Sequence, residues 1–331
     1  MLGEKQFVAY YKEVYSYISE YMSGMAVDWV QKHCVDMIDY STQGSTLTKG
    51  KTTASAYLEI TGHDPNSIEA EVGYTLGWIV EFIDAAYVMA NDMMYRRDKR
   101  YNKLCWYQVK DVDDQGVNDA IIVENLAFIL LDSLKGKIPI LVFSKLLQEL
   151  RKINTWTNIG QSIDFIGKIP TMDSYKTVAV YKASYYTFFS PIIVSLIASQ
   201  KFDLNEKFED IEVLSKRLGC YYQSLNDYLY YYQKGEDTII DIKEGNITWC
   251  LCKAYELGNA EQKKTLVEKI GHLDSKDEIK KIFDELKIPE HHKDFVQSEE
   301  AGLKQDIANL NSKYPKTTIQ ALLAKYQTIR Q

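Results

Sequence analysis

The chain has 331 residues, of which 46% are apolar and 26% charged, with 17 Gly and 6 Pro. This balance excludes a disordered or collagen-like chain and is typical of a helix-rich globular protein. The net charge is −7, and no basic run or Lys/Arg patch interleaved with aromatic residues occurs, which excludes a nucleic-acid-binding role. No apolar run reaches the eighteen or so residues that span a bilayer, and the first residues resemble neither a signal peptide nor a transit sequence.

Apolar residues recur at three- and four-residue spacings, which predicts a nearly all-α chain without a convincing strand. Asn66-Ser67-Ile68-Glu69 has the form of a capping box and predicts a helix from there to about Tyr95. Pro191 lies inside an apolar helical stretch and predicts a kink there. Residues 235–245 are predicted to form a loop, and residues 286–331 two helices. No linker divides the chain, so we expect one domain over residues 1–331.

The histidines and cysteines carry no metal-site pattern. The five histidines lack ligand-like spacing and are predicted to lie at the surface. The odd, scattered cysteines indicate a reducing compartment, and Cys250 and Cys252 are expected to be buried core thiols. We therefore assign no metal to either residue type.

One pattern, N-D-x-x-Y, occurs twice, as Asn91-Asp92-Met93-Met94-Tyr95 and as Asn226-Asp227-Tyr228-Leu229-Tyr230. Residues four apart share one face of a helix, so each copy presents its first and fifth residues together. If these positions were Asp, each helix would present paired carboxylates.

Several other segments occur in an order that resembles the farnesyl diphosphate synthase family, in which both motifs read D-D-x-x-D. They are Leu76-Gly77-Trp78-Ile79-Val80-Glu81, Cys105-Trp106-Tyr107-Gln108, Val117-Asn118-Asp119-Ala120, Gly160-Gln161-Ser162-Ile163-Asp164 and Gly219-Cys220-Tyr221-Tyr222-Gln223. The resemblance implies an all-α, single-domain isoprenoid synthase fold, a helical bundle around a central cavity. It also implies a dimer, and magnesium ions that are held by the outer carboxylates of the first motif and a carboxylate of the second and that bridge to an allylic diphosphate.

The chain departs from that family at the metal-binding positions. Six motif carboxylates have become two, Asp92 and Asp227, while Asn91, Tyr95, Asn226 and Tyr230 are neutral. Magnesium requires hard, charged oxygen ligands, and an amide or a phenol replaces a carboxylate poorly. We therefore expect no metal at either motif, and magnesium only if the protein is an active enzyme.

The family's diphosphate-binding cations are also reduced. By resemblance, Thr46 stands for a Lys, Lys49 and Tyr101 each stand for an Arg, and a further Lys aligns near Asp237. Asp84 replaces a Gln, and Ala183 replaces a Thr. Arg100 and Lys182 are retained, so Arg100 and Lys49 are the residual diphosphate-site positions.

The remaining family-site positions are Asp92, Asp227, Lys182, Gln223 and Asp164. We interpret the last three of these, with Gln161, as polar residues held by core hydrogen bonds rather than as a working site.

By resemblance, the two motif tyrosines face each other across the central cavity, and we expect their rings to fill the space of ions and phosphates. A small residue at Ala86 would deepen the floor and leave room for a long, apolar, prenyl-like ligand; core packing explains Ala86 equally well.

Three functions compete. The first is a catalytically silent family member that serves as a structural or regulatory subunit of a homodimer or a heteromeric assembly. A mitochondrial complex is one candidate for that assembly. The second is an active, divergent isoprenyl diphosphate synthase or terpene synthase-like enzyme that uses magnesium. The third is a carrier of a prenyl chain. The expected location is intracellular, either cytoplasmic or mitochondrial.

Overall fold

A computed structural model describes residues 1–24, 27–167, 169–201, 203, 206–232, 244–272 and 275–328, without the side chain of Tyr230. The chain divides into two compact units. Unit 1 comprises Met1–Leu150, Ser190–Glu206 and Lys313–Thr318, and unit 2 comprises Arg151–Phe189, Lys207–Ser312 and Ile319–Gln331. The single domain expected over residues 1–331 stays a prediction.

Helices account for most of the described chain, which confirms the all-α prediction. They are α1 (Glu4–Ala9), α2 (Tyr11–Ser23), α3 (Asp28–Thr42), α4 (Thr48–Thr61), α5 (Ala70–Met94), α6 (Gln115–Asp132), α7 (Ile140–Ile166), α8 (Met172–Val178), α9 (Ser190–Ser199), α10 (Glu209–Tyr232), α11 (Trp249–Leu257), α12 (Ala260–Lys269), α13 (Lys276–Glu285), α14 (Ile288–Asn309) and α15 (Lys316–Thr328). Helices α14 and α15 confirm the two predicted at the end of the chain. The loop predicted over residues 235–245 lies largely outside the described residues.

Unit 1 is built around α5, which packs against α4, α6 and α9. Among the described helices, α5 is long and apolar enough to cross a membrane by length and composition, and 83% of its most apolar window is buried. A helix that is apolar on all sides is suited to a core position.

Two glycines bring α4 and α5 into backbone contact. A Cβ atom on Gly77 would lie 2.7 Å from the carbonyl oxygen of Gly50, and one on Gly50 would lie 2.8 Å from that of Gly77. Larger side chains would separate the helices and move residues near the first motif.

Helix α5 begins later than predicted. It starts at Ala70, and Glu69 at its N-cap makes no capping hydrogen bond through its side chain. The predicted capping box is wrong because the Asp64 carboxylate already accepts a hydrogen bond from the backbone N–H of Asn66, at 2.7 Å, in a turn.

A short hairpin follows α5, although the sequence predicted no strand. Lys99–Arg100 (β1) pairs antiparallel with Lys103–Leu104 (β2). Tyr101 and Asn102 connect them with φ of 52° and 60°, the left-handed conformation that a two-residue type I′ turn requires. Strands of two residues are too short to create an alternating pattern.

Unit 2 contains a π-helix at Ala179–Phe189, whose chain continues directly into α9. A Cβ atom on Gly219 of α10 would lie 1.8 Å from the Ser184 hydroxyl oxygen, so glycine permits close packing of α10 on the π-helix. Pro191 is the second residue of α9, directly after the π-helix. The helix type therefore changes just before Pro191, and the kink expected there stays a prediction.

The surface position predicted for all five histidines is wrong for His292, while His33 is half-buried. His33 lies within 3.0 Å of both carboxylate oxygens of the buried Asp119. His292 is buried and stacks on Tyr228 with ring centroids 4.2 Å apart. The prediction of buried thiols is confirmed for Cys250 and Cys252; Cys34 and Cys105 are also buried, and Cys220 is half-buried.

Candidate functional site

The first motif lies at the C-terminal end of α5, in unit 1. Asp92 is 3% exposed, and its carboxylate accepts hydrogen bonds from Nε of Arg100 at 3.0 and 3.2 Å. A second guanidinium nitrogen of Arg100 also donates to Asp92. Because Arg100 belongs to β1, the hairpin after α5 folds a cation back onto the motif. The Asp92 carboxylate therefore already has a charged partner within unit 1.

Burial and charge act together around this pair. Burial would lower the pKa of Arg100, but its hydrogen bond and attraction to Asp92 outweigh burial and raise that pKa. Burial and the negative charge of Asp92 raise the pKa of the Cys105 thiol to about 12. Cys105 is therefore a neutral thiol near neutral pH, and Arg100 is the charged partner of Asp92.

The outer residues of the first motif differ in setting. Asn91 is half-buried, and α5 ends at Met94, so Tyr95 is the residue that follows the helix. The guanidinium of Arg97 lies over the Tyr95 ring, 5.5 Å from its centroid. Tyr95 thus contacts a cation through its ring face.

A second ion pair lies nearby in unit 1, between Lys49 of α4 and Asp84 of α5, with Nζ to Oδ2 of 2.9 Å. The buried Glu81 carboxylate accepts a hydrogen bond from the backbone N–H of Gly50 at 2.6 Å. Burial, and next the charge of Asp84, raises the pKa of Glu81 to about 7. Lys49 therefore meets a carboxylate at the position where the resemblance places a neutral Gln.

The second motif lies in α10, in unit 2. Asp227 is 1% exposed and accepts hydrogen bonds from the Gln223 side-chain amide and from the backbone N–H of Trp249, both at 2.7 Å. Trp249 is the first residue of α11, so Asp227 places its negative charge at the N-terminus of that helix. Asn226 is half-buried, and the side chain of Tyr230 lies outside the described residues, as does Asp237.

Asp164 and Lys182 form a further pair in unit 2. Nζ of Lys182, in the π-helix, donates to Asp164 at 2.5 Å, and the same carboxylate accepts from the backbone N–H of Ile247 at 3.2 Å. Asp164 and Asp227 thus both hold the backbone that leads into α11. These contacts agree with the interpretation of Asp164, Lys182 and Gln223 as polar residues with core hydrogen bonds.

Magnesium, the metal that the resemblance implies, does not fit either motif. The first motif offers one carboxylate, which Arg100 already binds at two nitrogens, and the second offers Asp227, whose two oxygens accept from Gln223 and Trp249. Among the described residues, no group of three or more His, Cys, Asp and Glu side chains is arranged to hold a metal ion. Magnesium at either place would have a single motif carboxylate as its ligand and would share it with these hydrogen bonds.

The structure brings the predicted site residues together in pairs within each unit: Lys49 with Asp84, Arg100 with Asp92, Lys182 with Asp164 and Gln223 with Asp227. Tyr95 belongs to unit 1 and Tyr230 to unit 2, and their placement across one cavity stays a prediction.

Sequence reasoning named Glu81 and Cys105 only within family landmarks and did not predict that Glu81 binds the Gly50 N–H or that Cys105 lies beside Asp92. A carboxylate inside the apolar run of α5 was the available signal for Glu81, because a buried charge requires partners.

Comparisons with known proteins agree with these landmarks. The polyprenyl synthetase family model matches residues 31–286. The farnesyl pyrophosphate synthase of Saccharomyces cerevisiae is 28% identical over 303 residues, covering 86% of this chain and 84% of that protein. The bifunctional chrysanthemol synthase of Tanacetum cinerariifolium, a chloroplastic protein, is 29% identical over 312 residues, covering 89% of this chain and 75% of that protein.

Among solved structures, the crystal structure of T. brucei farnesyl diphosphate synthase matches with a TM-score of 0.87 and 18% identity, covering 98% of this chain and 99% of that one. At this identity the match establishes the fold, which is the all-α isoprenoid synthase fold.

Proposed function

The chain belongs to the polyprenyl synthetase family and is farnesyl diphosphate synthase-like; from this premise we propose that it has lost the family's magnesium-dependent catalysis. It serves as a structural or regulatory subunit of a larger assembly. The observation that carries the proposal is the internal use of both retained motif carboxylates, Asp92 by Arg100 and Asp227 by Gln223 and Trp249.

The retained cations support the same proposal. Lys49, Arg100 and Lys182 are each bonded to a carboxylate of their own unit, respectively Asp84, Asp92 and Asp164. A cation that is already neutralised has less attraction for a diphosphate, and a ligand would first have to break the internal pair. The substitution of Asp84 for the family's Gln also adds a negative charge, which repels a diphosphate.

The partner in the proposed assembly is a protein, either a second copy of this chain or a different subunit. The protein is located inside the cell, and the mitochondrion is one compartment in which to look for the complex. The test is recovery of a defined complex when the tagged full-length chain is purified from its native source. Recovery of the chain only as a monomer would contradict the subunit role.

A second candidate is an active isoprenyl diphosphate synthase or terpene synthase-like enzyme that acts on allylic diphosphates with magnesium. The names of the relatives favour it, since the proteins matched from yeast and Tanacetum are named as synthases. On this alternative, Asp92 and Asp227 would have to exchange their internal partners for metal when substrate binds.

Turnover and binding experiments separate the two candidates. The purified chain is incubated with magnesium, isopentenyl diphosphate and labelled allylic diphosphates, and the products are separated by chromatography. The proposal expects no product, and no heat of binding for magnesium with an allylic diphosphate. Product formation at rates typical of the family would reject the proposal and establish the alternative.

A restored variant with Asp at positions 91, 95, 226 and 230 shows how far the loss extends. Recovered magnesium binding would locate the loss in the motifs themselves. Continued absence of binding would show that the loss extends beyond the four motif positions.

A further inference from the structure

A groove with an apolar floor and an acidic rim lies in unit 2, between the start of α10 and the end of α14. Its volume is about 440 Å³, within the range of cavities that accept a ligand group. The lining consists of Glu209, Asp210, Val213, Leu214, Asp306, Asn309, Leu310 and Asn311.

The floor exposes an apolar side chain to solvent. Val213 is 67% exposed, whereas Leu214 and Leu310 beside it are almost fully buried. Leu214 and Leu310 are apolar because they are buried where α10 meets α14. Burial does not account for the apolar side chain of Val213, which is exposed. An apolar side chain from outside would cover Val213 and contact the edges of both leucines.

The rim is negatively charged. Glu209, Asp210 and Asp306 line the groove, and no Lys or Arg is among the lining residues. Arg217 binds Asp306 at 2.7 Å, and Lys207 lies 3.7 Å from Glu209, so the rim is partly neutralised from outside the groove. Carboxylates in the first turn also stabilise α10 through its helix dipole. Neither effect reverses the sign of the charge that faces the groove.

From the apolar floor and this charge we propose that the groove binds a helical segment of another protein, in which a large aliphatic or aromatic residue is flanked by Lys or Arg. The apolar residue enters the groove over Val213, and the basic residues lie near the carboxylates of Glu209, Asp210 and Asp306. Charge complementarity of this kind increases the association rate and excludes acidic segments. The site stands whether or not the chain retains catalysis.

The test selects peptides against the full-length chain. The probe is a displayed library of helical peptides, about 15 residues long, with a fixed central Leu or Phe and flanking positions varied among Lys, Arg, Glu, Ser and Ala. Binding of the enriched peptides is then compared among wild type, Val213→Arg and the control Val267→Arg. Val267 is 40% exposed on α12, outside the groove lining, and its substitution adds the same charge.

The expected result is enrichment of Lys and Arg around the fixed residue, with affinity that falls at least tenfold in Val213→Arg and less than twofold in Val267→Arg. Raised salt should weaken binding. Enrichment of Glu or Ser, no enrichment above an unrelated protein, or equal binding to Val213→Arg would overturn the proposal. Circular dichroism and urea unfolding verify that both variants are folded. If sedimentation shows a dimer that Val213→Arg dissociates, the occupant is a second copy and the proposed foreign partner is rejected.

Discussion

Replacement of Arg100 by Met tests the assignment of Asp92 as an internal anchor. The substitution keeps most of the side-chain length but leaves the Asp92 carboxylate, 3% exposed, without its charged donor. Loss of one partner from a buried ion pair costs about 3 to 5 kcal/mol. Arg100 retains 24% side-chain exposure, which places the expected loss near the lower end, at about 3 kcal/mol.

Hydrogen exchange followed by mass spectrometry gives the appropriate measurement, because it reports on unit 1 without assuming that the whole chain unfolds in one step. A loss of about 3 kcal/mol corresponds to roughly a hundredfold faster exchange for peptides that open with the core of α5. The double variant Asp92→Asn with Arg100→Met should recover part of the loss, since no unpaired charge remains. The control Lys264→Met breaks an exposed pair of 3.9 Å and should change little. Exchange in Arg100→Met equal to that in wild type would refute the anchor role.

Three further substitutions make separate predictions. Folding raises the pKa of Glu81 from 4.5 to about 7, so between these pH values the folded chain holds a proton that the unfolded chain has released. The free energy of unfolding should therefore fall by about 3 kcal/mol as the pH rises from about 4.5 to 7. Urea titrations of Glu81→Gln should lack this pH dependence, and an unchanged pH dependence would contradict the assignment. Gly160→Ala places a Cβ atom 2.3 Å from the backbone nitrogen of Lys182 and should cost about 2 kcal/mol by thermal unfolding, whereas Gly24→Ala, with open space around it, should not; equal melting temperatures would count against the close packing. Asp227→Asn removes the negative charge at the N-terminus of α11 and should lower the free energy of unfolding by about 1 kcal/mol. An unchanged urea midpoint would show that Asp227 does not stabilise the start of α11.

The fold could be predicted because it depends on local apolar periodicity and on family motifs that occur in the same order along the chain. The apolar periodicity of α5 and the order of the family landmarks indicated an all-α isoprenoid synthase fold, which the structural match confirms. The structure differed from the predictions where a residue outside the local pattern, or a very short element, decides the backbone conformation. The capping box failed because Asp64 captured the Asn66 N–H, and the hairpin was missed because its strands have two residues each.

Candidate site residues could be named from the sequence, but their partners could not. Sequence alone named Asp92, Arg100 and Lys49 without indicating that Arg100 would bind Asp92 or that Lys49 would bind Asp84. The contact between His33 and Asp119 was not predicted, because the two residues lie 86 positions apart. A single sequence gives no record of such long-range pairing, so internal neutralisation of the retained cations required a structure.

The most direct measurement of the central claim is calorimetric titration of the purified chain with magnesium in the presence of an allylic diphosphate, followed by product analysis with isopentenyl diphosphate. The account predicts no heat of binding and no product, because both motif carboxylates hold internal partners. Saturable magnesium binding with formation of a longer prenyl diphosphate would contradict it.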